Sequence, residues 1–169
     1  MKVKRPALSC AGQKKMIYWT QKEVRKMRKR QVLLSVMGWT REDEEPDTVR
    51  LLTTGTLSGS PDKWRIDYTE TQADNESHDV TLTMGGGIVT MQRKGPLGTS
   101  MVFEQGKRFE GSYRTPYGDL DMGVYPTHVK YEVDGAAGGK VDLVYQLDLQ
   151  GQFAAVHEMR IRFCPAGKQ

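Results

Sequence analysis

The chain has 169 residues, with 25 Lys and Arg against 21 Asp and Glu. That length closes one hydrophobic core and leaves room for at most a tail. The composition excludes collagen-like, coiled-coil and wholly disordered chains, and no apolar run approaches the ~18 residues of a membrane helix.

The formal net charge of +4 conceals a split. Residues 1–30 hold eleven bases and one acid, Glu23, a net +10, while the rest hold 14 bases and 20 acids, a net −6. The basic character, which points to nucleic acid or an anionic surface, therefore belongs to one end. The sequence divides into a basic extension over 1–30, expected to be disordered or non-native, and a folded domain over 31–169. Cys10 and Cys164 are the only cysteines. Two make no disulfide framework, and no apolar leader precedes Cys10, so the expectation is a reducing cytoplasm without membrane attachment.

In chain order, residues 16–30 carry the one helix-like pattern. Thr20-Gln21-Lys22-Glu23 fits a capping box, and Val24 and Met27 are three apart. Most of the segment is Lys and Arg, so such a helix is solvated and marginal. The same stretch has a second reading. Lys22-Glu23-Val24 can be encoded AAG-GAG-GTN, which contains a bacterial ribosome-binding sequence, and Arg25-Lys26 then form a spacer before Met27. We expect translation to start at Met27, which takes the net charge from +4 to −3 and removes Cys10. The alternative is a genuine basic arm suited to nucleic acid or anionic lipid. Nucleic-acid binding rests on residues 1–26 alone.

From Gln31 onward the apolar period changes to two, the period of strands. Trp64, Ile66 and Tyr68 alternate with Arg65 and Asp67, and Val80, Leu82 and Met84 alternate with Thr81 and Thr83. Leu120, Met122 and Val124 form one run, closed by Thr127, and Val129, Tyr131 and Val133 form the next. Val141, Leu143, Tyr145, Leu147 and Leu149 share a side, as do His157, Met159, Ile161 and Phe163. Turn residues separate the runs, among them Ser60-Pro61-Asp62, Gly85-Gly86-Gly87, Pro116-Tyr117-Gly118 and Gly135 through Gly139. Short connections with no interposed helix mean an antiparallel meander. Eight to ten strands, each with one apolar side, bury that side by closing into a barrel, with a two-sheet sandwich as the alternative. A barrel of this size has room for packed side chains or for one small ligand.

The order of motifs adds a resemblance. Thr53-Thr54-Gly55 precedes the Trp64 run, and Val89, Met91 and Arg93 lead into Gly95. Met101, Phe103 and Gly106 follow, then Tyr113-Arg114-Thr115-Pro116-Tyr117-Gly118-Asp119-Leu120. Val141 through Leu147, Gly151 and His157-Glu158-Met159-Arg160-Ile161 complete the series. Over about residues 31–164 this resembles the YwiB-like family of small bacterial proteins. That family is a domain of unknown function with a calycin-like, lipocalin-type β-barrel. The resemblance implies the barrel and no established activity, so it brings no catalytic residues, cofactor or metal.

The constellations are sparse. His78, His128 and His157 have no zinc spacing. The glycine runs lack the Lys-Ser or Lys-Thr of a phosphate loop, and no nucleophile elbow occurs. Glu42-Asp43-Glu44-Glu45 lacks calcium-loop spacing and reads as a solvated hairpin loop. The best ligand-binding candidates are Arg108, Tyr113, Arg114, Tyr117 and Thr127 around the Thr115-Pro116 turn, with His157 as a polar group of an internal pocket. In this reading Arg108, Tyr113 and Tyr117 share a barrel mouth, where aromatic faces and one guanidinium hold an anionic or planar ligand. The plainer reading is that these residues build the barrel corner and that His157 is a hydrogen-bonded core residue. Two functions follow: a cytoplasmic barrel holding a small, partly apolar ligand, or a non-enzymatic interaction module with a filled interior. An enzyme ranks last, since no nucleophile–base or metal set is present. The discriminator is whether Trp64, Tyr68, Met84, Phe103, Tyr145 and Phe163 fill the interior without a void, in which case a ligand held inside the barrel loses its basis.

Overall fold

The computed structural model describes residues 5–8, 16–19, 29–41, 47–71, 75–95 and 98–167. Every regular element among them is a strand. Strands β1 (Arg5–Leu8) and β2 (Met16–Trp19) pair antiparallel as a separate two-stranded sheet. Met16–Trp19, expected to open a helix, is thus extended. Its Ile-Tyr-Trp run suits a strand, and the capping box lies downstream of it. The capping box, Met27, Cys10 and the acidic run Glu42–Glu45 fall outside the described residues.

Ten strands build the main body: β3 (Arg30–Arg41), β4 (Asp47–Ser60), β5 (Lys63–Thr71), β6 (Ser77–Gly85), β7 (Ile88–Lys94), β8 (Thr99–Glu104), β9 (Phe109–Thr115), β10 (Gly118–Asp134), β11 (Gly138–Leu149) and β12 (Gln152–Pro165). Each pairs antiparallel with the next, and β12 returns to pair with β3, so the sheet is a closed barrel rather than a sandwich. The turns β3–β4, β5–β6, β7–β8, β9–β10 and β11–β12 lie at one end, called upper here. The others lie at the lower end.

Alternation decides what is inside. Val32, Leu34, Trp64, Ile66, Tyr68, Val80, Leu82, Met84, Val89, Met91, Phe103, Val141, Leu143, Tyr145, Ile161 and Phe163 all occupy the inward phase and are buried together. Trp64, Tyr68, Met84, Phe103, Tyr145 and Phe163 are each between 0% and 7% exposed. These six side chains are therefore almost wholly enclosed by protein, and the middle of the barrel is packed.

One expected boundary is corrected. The runs ending at Val124 and starting at Val129 belong to a single strand, β10. Pro126 pairs with Tyr145 and His128 with Val144, so Thr127 is the extra residue of a β-bulge. The bulge shifts the phase by one, which is why inward residues are even-numbered up to Pro126 and odd-numbered from Val129. Thr127 does not close the strand: its Oγ1 donates to the Val144 carbonyl at 3.2 Å and ties the bulge down.

The wall is uneven. β11 and β12 pair over eleven positions, with one register shift between Leu147 and Asp148, but β8 and β9 share a single pair, Thr99 with Tyr113. β4 pairs with β5 only over Gly55–Ser60, so its upper half leans on β3 alone.

Gly138 enters β11 at φ +108°, and a Cβ there would lie 2.1 Å from the Phe163 carbonyl oxygen. Gly138→Ala should therefore destabilise the fold by more than about 1 kcal/mol in urea unfolding. Gly38→Ala, where a Cβ meets nothing within 4 Å, should leave the midpoint almost unchanged.

Candidate functional site

At the upper end the packed core gives way to polar side chains that keep the inward phase. Glu70 follows Trp64, Ile66 and Tyr68 on β5, and Arg93 follows Val89 and Met91 on β7. Arg93 Nη2 lies 2.9 Å from Glu70 Oε2, and Arg93 Nε donates to the same oxygen at 3.0 Å. Their side chains are 23% and 15% exposed, so the pair is largely withdrawn from water. The Tyr68 hydroxyl donates to Glu70 Oε1 at 3.4 Å. Burial, reinforced by the Glu70 charge, pushes the Tyr68 phenol well above its ordinary value. A half-buried pair of this kind is sustained because each charge keeps its partner; losing one would leave the other stranded.

His78 lies directly opposite Glu70 across β5–β6, and Thr99 lies opposite Arg93 across β7–β8. Both are buried, and among the described residues neither His78 ring nitrogen nor Thr99 Oγ1 has a hydrogen-bond partner. Most buried polar atoms are satisfied, so this end of the interior holds an excess of hydrogen-bonding capacity.

The facing wall brings Tyr145 and His157. Their rings are 5.3 Å apart and 13° from parallel, and the Phe103 ring lies 4.9 Å from that of Tyr145, tilted by 56°. His157 Nδ1 and Thr40 Oγ1 share a hydrogen bond of 3.2 Å. The Tyr145 phenol is pushed up to about 12 by burial, while the nearby Arg93 charge pulls it down. Thr40, His157, Tyr145 and Phe103 thus form a file from the rim into the core. Around it Leu51, Met101, Tyr113, Leu147 and Leu149 pack partly buried against the core cluster. The upper end thus sets partly buried apolar side chains beside a small group of polar ones.

The sequence-derived candidates divide. Tyr113 and His157 belong to this upper interior. Tyr117 is fully exposed in the β9–β10 turn, whose shape rests on Thr115: the Tyr117 amide donates to Thr115 Oγ1 at 3.2 Å, and that hydroxyl donates to the Gly118 carbonyl at 2.7 Å. Arg114 is exposed beside Asp119, at 3.7 Å. Thr127 serves the bulge. Arg108 precedes β9 at its lower end, on the outer surface, remote from Tyr117 by the length of that strand. Its guanidinium pairs with Glu110 and, at 2.5 Å, with Asp148. It covers Gly123, where a Cβ would lie 2.0 Å from Nη2. Arg108, Glu110, Gly111, Asp121, Gly123 and Gly151 line an outer groove of about 460 Å³. Its acids draw Arg108 inward, so the guanidinium is already occupied and is held firmly charged.

Glu70, Arg93, His78 and Thr99 were absent from the sequence-derived set. The signal for the first two was present: a charge in the inward phase at a strand end marks a polar interior. Among the described residues no group of three His, Cys, Asp or Glu is placed to hold a metal ion. No helix among them is long and apolar enough to cross a membrane.

These features define a ten-stranded antiparallel barrel with a packed middle and a polar upper end. The chain belongs to the family described as Domain of unknown function (DUF1934), which matches residues 34–161. It is similar to the crystal structure of the ywiB protein from Bacillus subtilis, with a TM-score of 0.74 at 18% identity, covering 87% of this chain and 99% of that one. No curated protein matches the chain.

Tyr145 has a measurable consequence. Its phenol ionises near 10 when unfolded and near 12 when folded. The unfolded state therefore loses its proton first as pH rises, and the stability linked to this group is intact below pH 10 and lost towards pH 12. Raising the phenol to about 12 corresponds to a free energy on the order of 2–3 kcal/mol. Urea unfolding from pH 9 to 12 should show that loss, and Tyr145→Phe should remove this part of the slope.

Proposed function

We propose that this protein is a non-catalytic binding barrel that takes a small, partly apolar ligand at its upper mouth. The observation carrying this reading is the Glu70–Arg93 pair held beside Tyr145 where the packed core ends, with buried hydrogen-bonding atoms of His78 and Thr99 left over. Such a ligand would lay its apolar part on Leu51, Tyr113, Leu147 and Leu149 and its polar part on these polar groups. A deep lipocalin-type chamber is not part of the proposal, because Phe103 and Tyr145 occupy that space. The cytoplasm suits such a protein, since Cys164 is an exposed free thiol.

A second reading, an interaction module, is favoured by the packed middle: Trp64, Tyr68, Met84, Phe103, Tyr145 and Phe163 are all buried, which removes the internal chamber that a ligand inside the barrel would need and leaves only its mouth. Ile66, Leu82, Met84, Val89, Phe103, Val124, Val141 and Ile161 are all 0% exposed.

Native mass spectrometry of the purified full chain separates the two. The binder should carry a co-purified small molecule or gain thermal stability with a member of a metabolite panel. The Glu70→Gln, Arg93→Gln double variant, which removes both charges together, should lose that ligand at least about tenfold while keeping its circular dichroism. An apo mass with no thermal shift across the panel overturns the binder and leaves the module.

A further inference from the structure

β4 is fourteen residues long, yet β5 pairs only with its lower part, from Gly55 onward. Among the described residues, Asp47–Thr54 hydrogen-bond to a strand on one side, β3, and the other edge has no strand partner. At Thr53 the hydroxyl donates to the Thr69 carbonyl at 3.4 Å, which tethers that position to β5. Among the described residues, the open edge is thus Asp47–Leu52. Unpaired edges of this kind are templates for another strand, and folded proteins normally blunt them with Lys, Pro or a bulge. Here the edge reads Asp-Thr-Val-Arg-Leu-Leu; Leu51 packs partly buried against the core, but Val49 and Leu52 face water, 64% and 73% exposed.

We infer that this edge pairs with the same edge of a second copy, joining two barrels through an antiparallel β4–β4 contact about a two-fold axis. The local charges select both the partner and the register. The segment carries one acid and one base, so two copies do not repel. A two-fold axis at Arg50 would set the two guanidinium groups opposite each other, which is unfavourable. An axis at Leu51 or Leu52 would require Thr53, already tethered to β5. An axis at Val49 sets Val49 against Val49, Thr48 against Arg50 and Asp47 against Leu51, with no like charges opposed. The contact is isologous, so the dimer closes and leaves neither copy of the edge free. This pairing goes beyond the ligand reading and does not depend on it, because Val49 and Arg50 are not among those polar groups.

The test is sedimentation velocity on the full chain over a hundredfold concentration range, with a crosslinking assay. The expected species is a dimer of twice 19.1 kDa. Val49→Lys places two ammonium groups on the axis and should weaken association at least about tenfold without altering circular dichroism, since the site is exposed. With Cys10 and Cys164 replaced by Ser, Val49→Cys should oxidise to a covalent dimer. Leu52→Cys, three positions off the axis, and Ser100→Cys, on the distant β8, should not. A monomer at all concentrations overturns the inference. So does a dimer indifferent to Val49→Lys, or equal crosslinking at positions 49 and 100.

Discussion

Everything in this barrel depends on one constraint: the inward phase of ten strands must meet itself around a closed ring. Each strand offers an apolar side and a polar side, and water is excluded only if all the apolar sides converge. Because a shift of one residue exchanges the two sides, every strand must hold its register against both neighbours. Where the pattern fails to repeat, the backbone must absorb the difference. The bulge at Thr127 does this on β10, and the shift between Leu147 and Asp148 does it against β12.

The same constraint explains the polar upper end. Glu70 and Arg93 are inward by phase near the ends of their strands, and their side chains are only 15% and 23% exposed. They neutralise each other, close to the partly buried side chains that pack on the core. Tyr68 and Tyr145 stand beside them with phenols kept neutral by burial. A barrel filled with Leu, Phe and Met needs no such groups for stability, since buried ion pairs are seldom better than apolar packing. Their presence at the upper end gives the barrel a direction: an apolar packed middle and an end where charged and hydrogen-bonding groups are gathered.

Much of this was legible in the sequence. Period-two runs marked the barrel strands from Trp64 to Phe163, and glycine and proline clusters marked their turns. His157 was readable as an inward polar residue from its phase with Met159 and Ile161. What was not legible is what the chain brings together from afar. Glu70 and Arg93 are 23 residues apart, and Arg108 finds Asp148 across 40, although the sequence placed it with Tyr113 and Tyr117. Proximity along the chain misled there because β9 carries Tyr117 to the opposite end from Arg108. The bulge was half-visible: the inward phase changes between Val124 and Val129, and a phase change reads equally well as a turn. Nor does any pattern announce that the upper part of β4 leaves β5: Leu51-Leu52 and Thr53-Thr54 are neighbouring residues of one kind and mark neither side of the strand.

The wall has ten seams, and the β8–β9 seam rests on one pair. The two ends of the barrel's chain, by contrast, are fastened: the Ala166 amide donates to the Gln31 carbonyl at 2.9 Å, and Pro165 sits beside Val32. A ring has no intrinsic first strand. In this one the covalent break falls at a well-sewn seam while an unbroken chain crosses the weakest one. Joining the old ends and cutting between Gln105 and Arg108 would exchange those roles and keep the neighbours of every strand. The order in which the strands are written along the chain is thus separable from the order in which they stand around the barrel.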